Sequence, residues 1–189
     1  AVLSNKPVVT SESFTCLYGW PREHIEEEYI MDLKLVADAL FANGINHIIW
    51  HGTPYNPSGI DSIRFYATVH VGRTGSLSEH LAGFNIYLDQ VSGYLQSGTT
   101  YTDVAVYIPI EDSWIAGEYP DSLQMPWSWG QYELRYLDFN PEIAGRHPLW
   151  INSSFLKKAK VSNGRLHLDK ASFNLLYVDV QHLDGSALD

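Results

Sequence analysis

The sequence predicts an α/β fold in which short strands of parallel sheets alternate with amphipathic helices. The clearest unit begins with a segment whose apolar residues recur at three- and four-residue spacing and which ends at Gly44, because glycine readily adopts the left-handed conformation after a helix. The mostly apolar run over residues 45–50 follows and is typical of a buried parallel strand. A strand-helix-strand-helix order is the repeat of an α/β barrel or of a doubly wound sheet.

The composition of the 189 residues excludes several classes of protein. Because 45% of the residues are hydrophobic and only 18% are charged, the chain can bury a substantial core and is not a disordered segment. The net charge of -10 argues against nucleic acid and against a polybasic membrane contact, since both require clustered Lys and Arg. No run reaches the roughly 18 apolar residues of a membrane helix. The single Cys16 excludes an intrachain disulfide.

Local patterns place the remaining elements. Glu26, Glu27 and Glu28 open the first predicted helix, and we interpret them as N-terminal charge on a solvated face, not as a metal site. The pair Asn163-Gly164 predicts a tight turn. The predicted strands cover residues 8–10, 45–50, 104–108 and 173–180; the predicted helices cover 25–43, 77–96 and 155–159; a long loop covers 52–78 and an aromatic insertion covers 109–129.

Polar side chains follow two of the predicted strands. Glu12 comes directly after the strand over residues 8–10, and His51, Thr53 and Tyr55 follow the next strand along the chain. In helix-flanked parallel sheets, ligands bind at the carboxyl ends of the strands, so we expect these four side chains to line one pocket. The alternatives are a surface glutamate in a loop and a polar turn with a hydrogen-bonded histidine.

Carbohydrate chemistry fits a carboxylate that is surrounded by hydrogen-bonding and aromatic side chains. Further candidates for substrate binding are Trp20 in an aromatic loop, Trp50 at the end of the strand and His70 in the long loop. Glycoside hydrolysis uses two carboxylates across the scissile bond, and only Glu12 has such a setting in this chain. The eight histidines lack metal-ligand spacing and Cys16 is a weak nucleophile candidate, so we predict no metal site and no cysteine chemistry.

Several of these stretches together resemble a known family. The stretch over residues 7–15, Asp32-Leu33-Lys34 with residues 37–46, and His51-Gly52 are similar to the end of the catalytic barrel in family 106 glycoside hydrolases, which are α-L-rhamnosidase-type enzymes. The resemblance implies the end of a (β/α)8 barrel, with Glu12 ending strand seven and His51 ending strand eight. It also implies that Glu12 is the general base of an inverting reaction on α-L-rhamnosides, that His51 holds sugar hydroxyls, and that the acid lies on an earlier strand.

The resemblance extends to the organisation of the whole chain. Residues 1–100 would be the C-terminal part of the catalytic TIM barrel, and residues 101–189 resemble the start of an amidotransferase-like, flavodoxin-type domain without a nucleophilic cysteine. We therefore expect a fragment that is inactive alone, whose partners are a carbohydrate substrate and the remainder of the same polypeptide. No cofactor follows from the residues, and the resemblance allows calcium. A non-catalytic carbohydrate-binding module with aromatic platforms and a purely structural α/β domain remain the alternatives.

Overall fold

The protein is mixed α/β with parallel sheets and divides into two compact units. The computed structural model describes residues 2–19, 24–53, 67–115 and 139–187. The first unit spans Lys6–Thr99, and the second spans Thr100–Asp189 together with Val2–Asn5. Among the described helices, none combines the length and the apolar character needed to cross a lipid bilayer.

The first unit is a strand-helix-strand crossover followed by a second helix. Its two strands are parallel neighbours, and Glu12 lies opposite Ile49 in their register. The elements are β1 (Thr10–Ser13), α1 (Ile30–Ala42), β2 (His47–Trp50) and α2 (Ser78–Ser97).

One face of the β1–β2 sheet packs against the helices. Because neighbouring residues of a strand point to opposite faces, Ile48 and Trp50 lie on the same side of β2. Both pack against a core cluster that includes Phe14, the fully buried Leu33 of α1 and Phe84 of α2. The Trp50 ring lies 4.8 Å from the Phe14 ring and 5.9 Å from the Phe84 ring, at distances typical of tilted and edge-to-face aromatic pairs. The helices are thus fixed to this face.

The other face of the same sheet is open to solvent within the described part of the chain. It carries Thr10 and Glu12 from β1 and His47 and Ile49 from β2. Thr10 Oγ1 lies 3.1 Å from His47 Nδ1, which confirms that opposite residues share this face. Ile49 keeps 47% of its surface exposed, so β2 is half-buried and not fully buried as predicted. The reason is that apolar packing reaches only the helix side.

A polar contact also joins α1 to α2, the two helices that pack on the Ile48–Trp50 face of the sheet. Lys34 Nζ of α1 lies 2.5 Å from Asp38 Oδ2 and 3.2 Å from the Tyr87 hydroxyl of α2, which itself donates to Asp38. The hydrogen bond from Lys34, followed by that from Tyr87, lowers the pKa of the Asp38 carboxyl. The ion pair therefore orients α1 against α2 in addition to the apolar contacts.

Strand β1 lies later in the chain than predicted. Val8 is 45% exposed and precedes the strand, and the Val9 N–H donates to the Asn46 side-chain Oδ1 at 2.7 Å. The Val9 N–H is thus bound by a side chain, while its carbonyl accepts the Asn46 N–H at 3.0 Å. The regular pairing begins only at Thr10, so Glu12 stands inside the strand and not after it.

Helix α1 begins at Ile30, and the prediction that residues 25–29 form its first turns is wrong. Glu26 has φ +58, a left-handed conformation that interrupts a helix. The Tyr29 N–H donates to Asp32 Oδ2 at 2.8 Å, which satisfies one of the exposed N–H groups at the helix start. Glu28 is only 2% exposed and Glu26 is half-buried, so the interpretation of a solvated face is wrong for these two residues, whereas Glu27 is exposed as expected.

Within residues 100–115 and 139–187, the second unit forms one parallel and one antiparallel sheet, each of three strands. In the parallel sheet, β3 (Val104–Tyr107) lies between β4 (Leu149–Ile151) and β8 (Leu175–Tyr177). The antiparallel sheet has the order β5 (Lys160–Ser162), β6 (Arg165–Leu168), β7 (Ala171–Phe173). The helices are α3 (Ile110–Ile115), α4 (Pro141–Ala144) and α5 (Ser153–Leu156), with 3-10 turns at Val2–Ser4 and Gly185–Ala187.

Two sequence signals in this unit are confirmed. All four residues of β3 are buried, in agreement with a central parallel strand. Asn163 and Gly164 join β5 to β6 with φ of +51 and +72, the pair of positive values that a type I′ hairpin turn requires.

Three other expectations for this unit are corrected. The predicted strand over residues 173–180 is interrupted at Asn174, whose N–H donates to the Asp103 carbonyl at 2.9 Å and whose side-chain amide donates to the Asp103 carboxylate. The chain changes there from the antiparallel to the parallel sheet. Helix α3 occupies the start of the predicted insertion. Helix α5 begins earlier than predicted, because Asn152 Oδ1 accepts the Phe155 N–H at 3.2 Å and caps it.

We predict that Phe84→Ala lowers the free energy of unfolding of the first unit by about 3–5 kcal/mol, the usual cost of removing a buried phenyl ring. Phe84 is 4% exposed and lies between Phe14, Trp50 and Tyr87. Urea denaturation measures the loss. The control is Ile86→Ala on the same helix, at a side chain that is 59% exposed; equal losses for the two variants would contradict the assigned core.

A pH-dependent contact is predicted at Asp112 of α3. Asp112 accepts the Gln181 N–H at 2.9 Å and the His182 N–H at 2.7 Å. The Gln181 bond, aided by the bonds from His182, lowers the Asp112 pKa below its ordinary value of 3.8. Because the pKa of Asp112 is lower in the folded than in the unfolded chain, these hydrogen bonds stabilise the fold fully above pH 3.8. This stabilisation is lost as the pH falls through the folded-state pKa of Asp112. Amide chemical shifts of Gln181 and His182 should change in that acidic range, and in Asp112→Asn they should not.

Candidate functional site

Glu12 and His51 are in direct contact at the carboxyl ends of β1 and β2. His51 Nδ1 lies 2.8 Å from Glu12 Oε1. Because an ionised carboxylate only accepts hydrogen bonds, His51 Nδ1 carries the proton and donates it. The His51 N–H also donates to the Ser13 carbonyl at 3.0 Å, which continues the ladder beyond β2 and fixes the imidazole next to β1. Two residues that are 39 positions apart in sequence thus form one pair.

The pair stands on the face of the sheet that is open to solvent within the described part of the chain. The Glu12 side chain is 65% exposed and the His51 side chain is 26% exposed. One carboxylate oxygen is held by the imidazole while the rest of the group is accessible to solvent. Such a carboxylate can accept a hydrogen bond from a water molecule or from a sugar hydroxyl.

The remaining predicted residues on this stretch have different surroundings. Thr53 is exposed two residues beyond His51. Trp50 faces the core, and its Nε1 donates to Asn85 Oδ1 at 2.9 Å, so its ring is not a platform on the open face. Trp20 and Tyr55 lie outside the described residues.

His70 belongs to a polar network that the sequence did not reveal. It is 3% exposed, and its Nδ1 lies 3.1 Å from Glu26 Oε1. The same Glu26 oxygen accepts the Ser76 N–H at 2.9 Å. Glu26 therefore ties the loop that follows β2 to the loop that follows β1, and His70 is not an exposed sugar contact within the described residues.

Glu28 forms the buried part of this network. Its Oε1 accepts a hydrogen bond from the Thr68 hydroxyl and a longer one, 3.4 Å, from the Leu17 N–H. The Thr68 N–H in turn donates to the Thr15 carbonyl at 3.0 Å. Within the described ranges, Glu28 Oε2 is buried and has no hydrogen-bond partner. A buried polar atom without a partner is costly and uncommon, which marks Glu28 as the most unusual carboxylate of the first unit.

The Glu26–Glu28 network and the Glu12–His51 pair occupy related positions in the fold. All lie on the two strand ends or on the loops that follow them, which is the end of a parallel sheet where ligands usually bind. The sequence carries no clear signal for this network: Tyr29 is not among the residues that commonly begin a helix, so the bond from its N–H to Asp32 cannot be read from the pattern. The partners of Glu26 and Glu28 carry no sequence signal either.

Among residues 2–19, 24–53, 67–115 and 139–187, no group of three or more His, Cys, Asp or Glu side chains is arranged to hold a metal ion. Cys16 is half-buried and reduced. The chemistry of the described residues is that of carboxylates, imidazoles and hydroxyls.

We predict that Glu28→Gln is at least as stable as the wild type. The amide keeps an oxygen for Thr68 and Leu17 and removes the charge of a buried carboxylate whose second oxygen has no described partner, and we expect this gain to outweigh the two N–H donors that the amide places at that position. Thr68→Val should instead lower the free energy of unfolding by about 1–3 kcal/mol, since it removes a donor to a buried acceptor. Thermal and urea unfolding measure both variants. A marked loss of stability in Glu28→Gln would mean that Oε2 is bound by a group that requires its charge.

Comparison with known proteins adds no assignment. No protein-family model matches the chain, and a search of curated proteins finds no significant match. The site is interpreted from its own geometry.

Proposed function

We propose that the chain is the C-terminal part of a glycoside hydrolase barrel of the family 106 type, which acts on α-L-rhamnosides with Glu12 as the general base. The observation that carries the proposal is the Glu12–His51 contact at the carboxyl ends of two adjacent parallel strands. Catalytic groups of (β/α)8 barrels lie at these strand ends.

The difference between the two faces of the β1–β2 sheet supports the proposal of a (β/α)8 barrel. In a (β/α)8 barrel the helices pack on the outer face of the strands, and the inner face lines the interior. Here α1 and α2 cover the face of Ile48 and Trp50, whereas Glu12 and Ile49 lie on the uncovered face. In the proposed enzyme, the other strands of the same polypeptide cover Ile49 and enclose Glu12.

The geometry of the pair suits a base. A general base must be ionised and within hydrogen-bond reach of the water that it activates. His51 holds one oxygen of Glu12, so the carboxylate is oriented while its exposed side accepts the water proton. In an inverting reaction the water attacks the anomeric carbon as an acid on the opposite side protonates the leaving oxygen, with the two carboxyl groups roughly 6.5–9.5 Å apart. That acid would come from an earlier strand.

The strand order of the second unit supports the proposal that a flavodoxin-type domain follows the barrel. Its parallel sheet has the order β4-β3-β8, so the first strand lies in the centre, the second on one side and the third on the other. Flavodoxin-like sheets begin with this 2-1-3 order. The order is therefore consistent with a flavodoxin-type, amidotransferase-like domain that follows the barrel.

The test is the Glu12→Gln variant of the full-length polypeptide, assayed on an aryl α-L-rhamnoside. The amide keeps the shape of the side chain but cannot take the proton from water, so kcat should fall by about 10²- to 10⁴-fold. The KM should change far less, because the amide still hydrogen-bonds the sugar. His51→Ala should raise KM as well as lower kcat, since it removes a positioning contact.

The matched control is Glu79→Gln, the same change at an exposed carboxylate in the first turn of α2. It should leave kcat and KM unchanged. If Glu12→Gln keeps near-normal kcat while sugar binding is weakened, the catalytic assignment fails and the alternative of a carbohydrate-binding module is favoured. If neither Glu12→Gln nor His51→Ala affects binding or rate, the open sheet face has a structural role only.

A further inference from the structure

The second unit contains a cavity of about 220 Å³ at the carboxyl end of its parallel sheet. The cavity lies where β3 and β8 end, with the pocket wall completed by β4 and by the residue that precedes α4. Ligand sites of open parallel sheets occupy this position. Its lining includes Val106, Pro109, Asn140, Trp150, Tyr177 and Asp179.

A chain of hydrogen bonds with a fixed direction runs along one wall. Asn140 caps α4, and its Oδ1 accepts the Glu142 N–H at 2.9 Å. The amide is therefore oriented so that its Nδ2 donates to the Tyr177 hydroxyl at 3.1 Å. Tyr177 then directs its own hydrogen towards Asp179 Oδ2, at the long distance of 3.4 Å. The capping bond thus determines which atoms of the wall donate and which accept.

This wall presents both kinds of hydrogen-bonding group to a ligand. Asn140 Nδ2 carries a second hydrogen, the Tyr177 oxygen has lone pairs, and the exposed Asp179 carboxylate accepts through both oxygens. A hydroxyl group both donates and accepts, so adjacent hydroxyls can satisfy this sequence of groups. An ammonium ion only donates, and would leave the Asn140 hydrogen without an acceptor.

The rest of the lining used here is apolar. Val106 is 4% exposed, and Pro109 continues the chain beyond β3. The Trp150 indole is held in place by the Phe139 ring, which stacks on it at 4.5 Å and 17°. Asp179 is the one charged side chain of the described lining, so phosphates and carboxylates are disfavoured. A ligand with one apolar face and one edge of hydroxyls matches both parts of the lining.

We propose that this cavity binds a single sugar ring, with a pair of adjacent hydroxyls on Asp179 and Tyr177 and the C–H face of the ring on Trp150. Its volume is below the roughly 300–1,000 Å³ of drug-sized sites, which limits the ligand to one ring. The site is a binding site in the second unit. It uses none of the residues of the Glu12–His51 pair and does not depend on the function proposed for them.

The test is an NMR titration of the ¹⁵N-labelled 189-residue chain with L-rhamnose, D-glucose, methylammonium and inorganic phosphate as separate probes. A sugar should shift the Asn140 side-chain amide and the Trp150 indole N–H signals in a saturable way. Asp179→Asn and Tyr177→Phe should each weaken binding tenfold or more. Asn140→Asp keeps the oxygen that caps α4 but removes the donated hydrogen, and it should weaken binding without unfolding the chain.

The matched control is Asp169→Asn, the same change at an exposed residue between β6 and β7, where φ is +49 and asparagine is well tolerated. It should leave sugar affinity unchanged. The proposal is overturned if methylammonium or phosphate shifts these signals and the sugars do not. It is equally overturned if Asp179→Asn binds like the wild type or if sugars shift only signals of the first unit.

Discussion

The parallel register of β1 and β2 is the constraint on which the first unit depends. Opposite residues of a parallel pair point to the same face, so packing Ile48 and Trp50 beneath the helices puts Glu12 and Ile49 on the other face. A shift of one residue in either strand would bury a carboxylate in an aromatic cluster. The hydrophobic core and the Glu12–His51 pair are thus two results of one register, since the core determines the side of the sheet on which the carboxylate stands.

Hydrogen bonds to carboxylates connect the loops at the carboxyl end of this sheet. Glu26 and Glu28 come from the loop after β1, and their donors come largely from the loop after β2. Carboxylates that accept from backbone N–H groups and hydroxyls can order loops that have no regular secondary structure. The second unit uses the same device at Asp112, which holds the segment after β8 through two backbone N–H groups. In each unit the strands set the positions and the carboxylates hold the loops.

Local sequence patterns were sufficient where a structure depends on neighbouring residues. They placed α2 to within one residue at each end, the buried strand β3 and the Asn163-Gly164 turn, because helical spacing, apolar runs and positive-φ residues act locally. They failed for Glu26 and Glu28, because Thr68 and Ser76 lie 40 and 50 residues away from them and are brought close only by the fold. They also could not tell which face of β2 is buried, since Trp50 follows an unbroken apolar run that has no alternation to read.

The most direct test of this account is the tautomer of His51, measured from long-range ¹H–¹⁵N correlations under conditions where the ring is neutral. The contact with Glu12 requires the hydrogen on Nδ1, whereas a histidine without such an acceptor usually carries it on Nε2. We predict that the neutral His51 ring carries its hydrogen on Nδ1 in the wild type and no longer does so in Glu12→Ala. An Nε2–H form in the wild type, or a His51 signal that is insensitive to the removal of Glu12, would contradict the pairing of the two strand ends.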